Sequence, residues 1–445
     1  MFGVADGFDV VIGNPPYNQL QEDGGKLGNL YKNAGYMTFA RTGDIYQLFY
    51  ERGCRMLRAQ QGILAYITSN SWLKAEYGKK TRRYLAEHHT PTALLELGKD
   101  VFESAIVDSS ILLLRQGGKA KSFPAVDLEQ VETTDFPPPA PALGWGSVAP
   151  EGDVPWSILS VVERSVLEKM RNQGTPLKNW EIKINYGIKT GYNQAFIIDT
   201  ATKETLVAAD PKSAEIIKPV LRGRDIYRYS VDWKRLWLIA TLPALSINID
   251  NYPAVREYLL SFGKARLEQS GKKLPDGNKS RKRTNNAWHE LQDACAYYEE
   301  FAKEKLFWMD MSNTGRFAYS EMEMYCNDKG FILTGKSLKY LCAVLNSTII
   351  KWLVENTALT TGLGVVQWKK FVVERLPIPK ISTAQQKPFI QLIDHILQAK
   401  ATNPSADTSA LEAEIDCLVY QLYELTAEEI AVVERSSASP GRQAP

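Results

Sequence analysis

The chain has 445 residues and a mass of 50.0 kDa, with 44% hydrophobic and 23% charged residues and a formal net charge of +2. At about 150 residues per domain this allows two or three globular domains and excludes a chain that is disordered overall or collagen-like. No run approaches the ~18 apolar residues of a membrane span, and the N-terminus lacks the basic flank and apolar core of a secretory signal.

In chain order, residues 8–12 (Phe-Asp-Val-Val-Ile) form a short β-branched run that ends at Gly13 and predict a buried strand. Residues 44–59 predict a helix with Ile45, Leu48, Phe49, Met56 and Leu57 on one face and Asp44 as its N-cap, stopped by Gly62. A strand over 63–68, a charge-rich helix over 75–89 and strands over 92–97 and 109–115 follow. Strands alternating with helices imply an α/β sheet with parallel strands over residues 1–118. Residues 119–155, with Phe-Pro-Pro-Pro-Ala-Pro at 136–141, predict a Pro-rich linker. A second, aromatic-rich, mixed α+β unit spans 156–380. Residues 381–434 predict C-terminal helices with a Pro/Ser break near 404–409, and 435–445 a disordered tail.

Cys54, Cys295, Cys326, Cys342 and Cys417 are odd in number and form no Cys-x-x-Cys pair. That argues against a disulfide framework or structural zinc, and fits a reducing, cytoplasmic setting. No metal is expected with four histidines in the chain. Charge is local rather than global. Residues 263–283 carry Lys264, Arg266, Lys272, Lys273, Lys279, Arg281, Lys282 and Arg283 against Glu268 and Asp276, a pattern suited to phosphate contact.

The strongest chemical signal is Asn14-Pro15-Pro16-Tyr17, directly after the first strand. The lone pair of adenine N6 is delocalised into the ring, so this nitrogen is a poor nucleophile. Two acceptors aimed at its N–H groups localise that pair. The Asn14 side-chain oxygen and the Pro15 backbone carbonyl are suited to this. Pro15 and Pro16 fix φ and remove competing donors, and Tyr17 offers a flat face to a base. The turn stands at the carboxyl end of a strand, where open α/β sheets bind ligands.

Residues 7–17 (Gly-Phe-Asp-Val-Val-Ile-Gly-Asn-Pro-Pro-Tyr) resemble motif IV of the DNA N6-adenine methyltransferases of type II and type IIG restriction–modification systems. Residues 44–49, 62–73 and 101–114 resemble motifs V, VI and VIII in the same order. The resemblance implies the C-terminal half of a Rossmann-like methyltransferase sheet, S-adenosylmethionine as cofactor, and Asn14, Pro15, Pro16 and Tyr17 at the flipped adenine. It also implies that Phe102 stacks on the base from the face opposite Tyr17. Residues 186–199, 217–226, 288–291, 340–347 and 376–379 resemble a TaqI-like specificity domain. Double-stranded DNA is the implied partner, with Lys189, Thr190, Asn193, Arg222, Arg224 and the cations Arg266, Lys272, Lys273, Lys279, Arg281, Lys282 and Arg283 as implied contacts.

The family's cofactor site lies mostly upstream of motif IV, and only Asn14 of this chain would border it. The expectation is therefore a truncated or split enzyme whose cofactor half comes from a longer chain or a separate one, with a sheet edge left uncovered. Two other readings are a DNA-recognition module or inactive remnant without catalysis, and a protein glutamine-N5 methyltransferase. The second leaves the long basic and aromatic unit without a role.

Overall fold

A computed structural model describes residues 6–98, 108–128, 145–150, 154–358 and 366–438. The chain divides into two compact units: Met1–Lys169 with Trp352–Gln367 and Leu425–Pro445, and Met170–Lys351 with Trp368–Glu424.

The first unit is built from β1 (Val10–Gly13), α1 (Lys26–Tyr31), α2 (Tyr46–Met56), β2 (Ile63–Ser69), α3 (Lys79–His88), β3 (His89–Gly98), β4 (Ser109–Gln116), β5 (Phe123–Asp127) and β6 (Gly146–Val148). The six strands form one sheet in the order β1-β2-β4-β3-β5-β6. β1 pairs with β2 in parallel, as expected, but β4 is inserted antiparallel to both β2 and β3. The reason is chain length. β3 ends at Gly98 and β4 starts at Ser109, too short a gap for the helical crossover that parallel neighbours need.

A second difference concerns the stretch read as a linker: residues 123–127 and 146–148 add β5 and β6 to this sheet, with β5 parallel to β3. Phe123, Ala125 and Val148 are buried and pack in the core with Trp72 and Trp156, so local Pro content is overridden by burial of an apolar face. The Phe-Pro-Pro-Pro run itself lies outside the described residues.

β1 is at the edge of the sheet, and its Val10 and Ile12 are 57% and 80% exposed. Behind the sheet, the Arg82 guanidinium of α3 is fully buried and donates to the carbonyls of Trp72, Ala75 and Val154 at 2.5–2.9 Å. The charge-rich look of this helix therefore hides one structural cation.

His89, at the start of β3, is buried, and burial followed by the neighbouring His88 holds its imidazole down to about 4. The unfolded chain takes up the proton near 6.5. Neutral His89 thus favours the folded state above pH 6.5, and that contribution is lost as pH falls from 6.5 towards 4. It amounts to at most about 3 kcal/mol. Replacing His89 by Gln is expected to flatten the fall in thermal midpoint between pH 7 and 4. An unchanged slope would rule out His89 as the cause.

The second unit begins within α4 (Val161–Gln173) and contains β7 (Thr175–Pro176), β8 (Ile182–Tyr186), α5 (Asn193–Phe196), β9 (Ile197–Ile198), α6 (Thr200–Ala209), β10 (Ile217–Leu221) and β11 (Trp237–Ile239). It continues with α7 (Pro253–Leu260), α8 (Lys264–Leu267), β12 (Lys305–Met309), β13 (Ala318–Ser320), β14 (Tyr325–Cys326) and β15 (Gly330–Gly335). Two four-stranded sheets, β14-β10-β11-β9 and β13-β12-β15-β8, share a core that includes Phe196, Leu221, Leu238, Phe307 and Ile332.

Helices α9 (Leu338–Leu345), α10 (Thr348–Thr357) and α11 (Lys370–Val373) precede β16 (Pro377–Ile378), which pairs with β7. The chain ends in α12 (Thr383–Thr402), α13 (Ser409–Leu422) and α14 (Ala427–Ala438). The break between α12 and α13 falls at the predicted Pro/Ser stretch, whereas α14 continues past residue 435, where the tail was expected to start. Among the described residues no helix is long and apolar enough to cross a membrane.

Candidate active site and nucleic-acid interface

Asn14 follows the last residue of β1 and is exposed, while Pro15 behind it is buried. The Tyr17 hydroxyl donates to Asn14 Oδ1 at 3.0 Å, so the four-residue turn closes on itself through the acceptor assigned to the amine. Tyr17 is half-buried. Burial raises its pKa, and a hydrogen bond with the buried Ser109 opposes that rise. Ser109 opens β4 and was not singled out in the sequence, because nothing local distinguishes it from any strand serine.

The turn is stapled to the segment before α2. Ile45 N donates to Asn18 O and Leu20 N to Gly43 O, both at 2.9 Å. This brings the stretches that resemble motifs IV and V side by side. Asp44 is not the helix cap that its position suggested. Ile45 occupies the N-cap and no side chain caps the helix. The half-buried Asp44 carboxylate instead bonds the hydroxyls of Tyr46 and Tyr77, and burial raises its pKa despite them.

Tyr46 meets the Tyr17 ring edge-on at 6.1 Å. The buried Glu51 carboxylate accepts from Thr38 N at 2.9 Å and Thr38 Oγ1 at 3.0 Å and pairs with Arg55, fixing the loop before α2 to the helix itself. Phe102, assigned to the opposite face of the base, lies outside the described residues.

In the second unit, three loops converge on the turn after β14. The side-chain oxygen of the nearly buried Asn327 accepts from Gly223 N at 3.0 Å and Lys329 N at 3.3 Å. Its own N–H donates to Leu221 O, Ile188 N donates to Cys326 O, and Asp310 N donates to Lys329 O. The 187–194, 222–226 and 310–316 segments are thereby held to one support. Asn327 was missed in the sequence because its partners lie about a hundred residues away.

The candidate DNA contacts separate into two groups. Lys189, Asn193, Arg224, Lys272, Lys273, Lys279, Lys282 and Arg283 are exposed. Thr190 is buried, with its hydroxyl bonded to Asn193 Oδ1 at 2.6 Å and accepting from Tyr192 N, so it shapes the turn. Arg222 makes a two-point pair with the buried Asp225, at 2.6 and 2.9 Å.

Arg281 requires correction. Its guanidinium is buried over the Phe196 ring and donates to the carbonyls of Leu267, Thr190, Glu290 and Trp288 at 2.6–3.0 Å. Burial lowers its pKa to about 10. With its donors engaged by carbonyls, it is a strut of the basic loop and not a phosphate ligand.

Around that strut the basic segment forms a small ribbon. Lys273 and Lys279 pair antiparallel, and the tip is closed by Leu274 N to Asn278 O at 2.8 Å and Gly277 N to Leu274 O at 3.0 Å. Gly277 has φ +84°, which a Pro-Asp-Gly turn of this kind requires. Arg266 lies 4.8 Å over the Tyr192 ring and donates to Lys279 O, tying the ribbon to the 187–194 turn. A two-stranded ribbon has the width of a DNA major groove.

This combination of an Asn-Pro-Pro-Tyr turn at a strand end with a separate loop-rich, basic unit is what restriction–modification methyltransferases present. Residues 1–102 match the Eco57I restriction–modification methylase family, and residues 218–378 match the TaqI-like C-terminal specificity domain. The chain therefore carries an Eco57I-type methylase region joined to a TaqI-like specificity domain.

The chain is 23% identical to the type II methyltransferase M.BstVI of Geobacillus stearothermophilus, over 96% of this chain and 75% of that protein. It is 24% identical to the type II methyltransferase M.PaeR7I of Pseudomonas aeruginosa, over 84% of this chain and 65% of that protein. The fold is similar to that of the type IIL restriction–modification enzyme MmeI, solved in complex with DNA, with a TM-score of 0.59 at 12% identity, covering 96% of this chain and 56% of MmeI. The chain thus spans between about half and three quarters of the length of these proteins.

Proposed function

We propose that the chain acts in site-specific methylation of adenine N6 in double-stranded DNA, within a restriction–modification system, with S-adenosylmethionine as methyl donor. The observation that carries this is the geometry of Asn14. Its Oδ1 stands at the carboxyl end of β1, supported by a rigid Pro-Pro turn and satisfied at 3.0 Å by the one hydroxyl that an incoming amine would displace. Asn14 Oδ1 and the Pro15 carbonyl accept the two N6 hydrogens and aim the nitrogen lone pair. Tyr17, with Phe102 as the proposed opposite wall, holds the flipped ring and offsets part of the few kcal/mol of unstacking. The proton leaves N6 after transfer, so no strong general base is required.

The donor supplies an electrophilic sulfonium methyl. The described residues that fit its reacting end are those at the carboxyl end of β1. Among the described residues of 1–118, no glycine-rich turn leads from a strand into a helix in the way that cradles the rest of such a cofactor. The isolated chain is accordingly expected to bind S-adenosylmethionine weakly, with a separate chain as a candidate source of the remaining contacts. Saturable micromolar binding by calorimetry to the chain alone would overturn this.

The function itself is tested by transfer of radiolabelled methyl to a duplex, followed by digestion to nucleosides. Label in N6-methyladenine supports the reading. Duplex binding without label, even with a completing chain present, would favour a recognition module instead. Label in a glutamine peptide and none in DNA would favour the protein methyltransferase.

A further inference from the structure

The other buried or half-buried arginines of the second unit have polar partners: Arg222 and Arg228 pair with Asp225 and Glu412, Arg266 donates to Lys279 O, and Arg281 is bound by carbonyls. Arg316 is different. It is half-buried, yet it has no carboxylate or hydrogen-bond partner among the described residues. Its one neighbour of note is the Tyr227 ring, whose centroid lies 5.9 Å from the guanidinium carbon. Taking a charge partly out of water without a counter-charge is unfavourable. Its guanidinium donors are therefore open to a ligand that brings acceptors.

The backbone on both flanks of Arg316 is held. Phe317 N donates to Asn346 Oδ1 at 3.0 Å, and Phe317 O accepts from Asn346 Nδ2 at 2.8 Å and Tyr229 N at 3.0 Å. Ser312 O accepts from the buried Trp368 indole at 3.0 Å. A Cβ on Gly315 would lie 2.8 Å from the same indole, so this loop admits only glycine there without a shift.

The partner loop is equally set. Tyr227 N donates to Ser230 O at 2.9 Å across a tight turn whose sides pair at Ile226 and Val231. Tyr227 is 45% exposed, and the exposed, unpaired Arg224 precedes it by three residues. Both loops rest on the Asn327 turn that also supports the 187–194 loop. The construction is a rigid mount for one planar, bidentate donor beside an open aromatic face.

We propose that Arg316, pre-set by Tyr227, is a base-reading residue that donates to the O6 and N7 edge of a guanine in the target duplex. This rests on the reading of the second unit as the DNA-reading part of the chain. A guanidinium matches that edge bidentately, and an ordered mount lowers the cost of fixing it on binding. The partner is duplex DNA rather than a free nucleotide, because the mount is an open surface of two loops and not an enclosed pocket.

The test is selection of binding sites from a random duplex library by the full chain, by Arg316→Ala and by Arg316→Lys, each checked for an unchanged thermal midpoint. The wild-type chain is expected to enrich one sequence containing a fixed G·C pair. Both variants are expected to lose preference at that single pair by roughly tenfold to a hundredfold, with the other positions and the salt dependence of binding retained. Lysine fails because it is a point charge without the fork. An unchanged site with a salt slope shallower by about one would make Arg316 a phosphate contact and overturn the proposal. An unchanged site and slope would remove Arg316 from the interface. If the wild-type chain enriches no sequence, the reading of the second unit as sequence-specific fails first, and this proposal with it.

Discussion

Asn14→Ala is expected to abolish methyl transfer, by at least about a hundredfold, while duplex affinity stays within about twofold. The reasoning is differential. In the proposed mechanism the Asn14 oxygen acts where the amine nitrogen develops positive charge and contributes little to holding the duplex, a task that the same proposal gives to the second unit. In the free chain Oδ1 is already satisfied by the Tyr17 hydroxyl at 3.0 Å, so its removal leaves no buried group unpaired and the turn should persist. The measurement is single-turnover methylation, in whatever assembly is active, together with duplex binding by anisotropy. Turnover unchanged in the variant would disprove the role assigned to the turn. Equal loss of binding and turnover would mean that the substitution damages the fold rather than the chemistry.

Replacing Lys272, Lys273, Lys279 and Lys282 together by alanine should weaken duplex binding at low salt by more than a hundredfold and flatten its salt dependence. Each lost phosphate contact removes about 0.9 from the slope of log affinity against log salt, so the slope should fall by about 3 to 4 if all four engage. All four are exposed, and no buried partner depends on them, so the thermal midpoint should hardly move. Arg281→Ala provides the contrast. It strips donors from the carbonyls of Leu267, Thr190, Glu290 and Trp288, and is expected to lower the thermal midpoint with a much smaller direct effect on the salt slope. A slope unchanged in the four-lysine variant would move the phosphate contacts elsewhere on the second unit.

These contrasts mark what was legible in the amino-acid sequence. The Asn-Pro-Pro-Tyr turn was, because its conformation is set within four residues: proline fixes φ, the preceding β-branched run makes the strand, and the closing hydrogen bond from Tyr17 to Asn14 is local. The resemblance to a methylase, on motifs between residues 7 and 114, and to a specificity domain, on motifs between 186 and 379, was legible too, since it rests on the order of short motifs along the chain, and the family matches over 1–102 and 218–378 agree with it. The basic character of residues 263–283 was legible as a run of charge, whereas the ribbon that presents Lys273 and Lys279 around Pro275-Asp276-Gly277 was not read from it.

Tertiary structure decided which polar groups are free to act, because pairing depends on residues far apart in the chain. Arg281 and Lys282 are neighbours in a basic run, yet one is buried against Thr190 and Leu267 and the other is exposed. Asp44 looked like a cap and is instead drawn to Tyr77, thirty-three residues on. Residues 123–127 looked like linker and became β5, since a sheet with an apolar edge gains more from another strand than from solvent. Arg316 carries no motif. Its significance comes from the scaffold that Asn346, Trp368 and Tyr229 build around it, through contacts of the folded chain that no local pattern encodes.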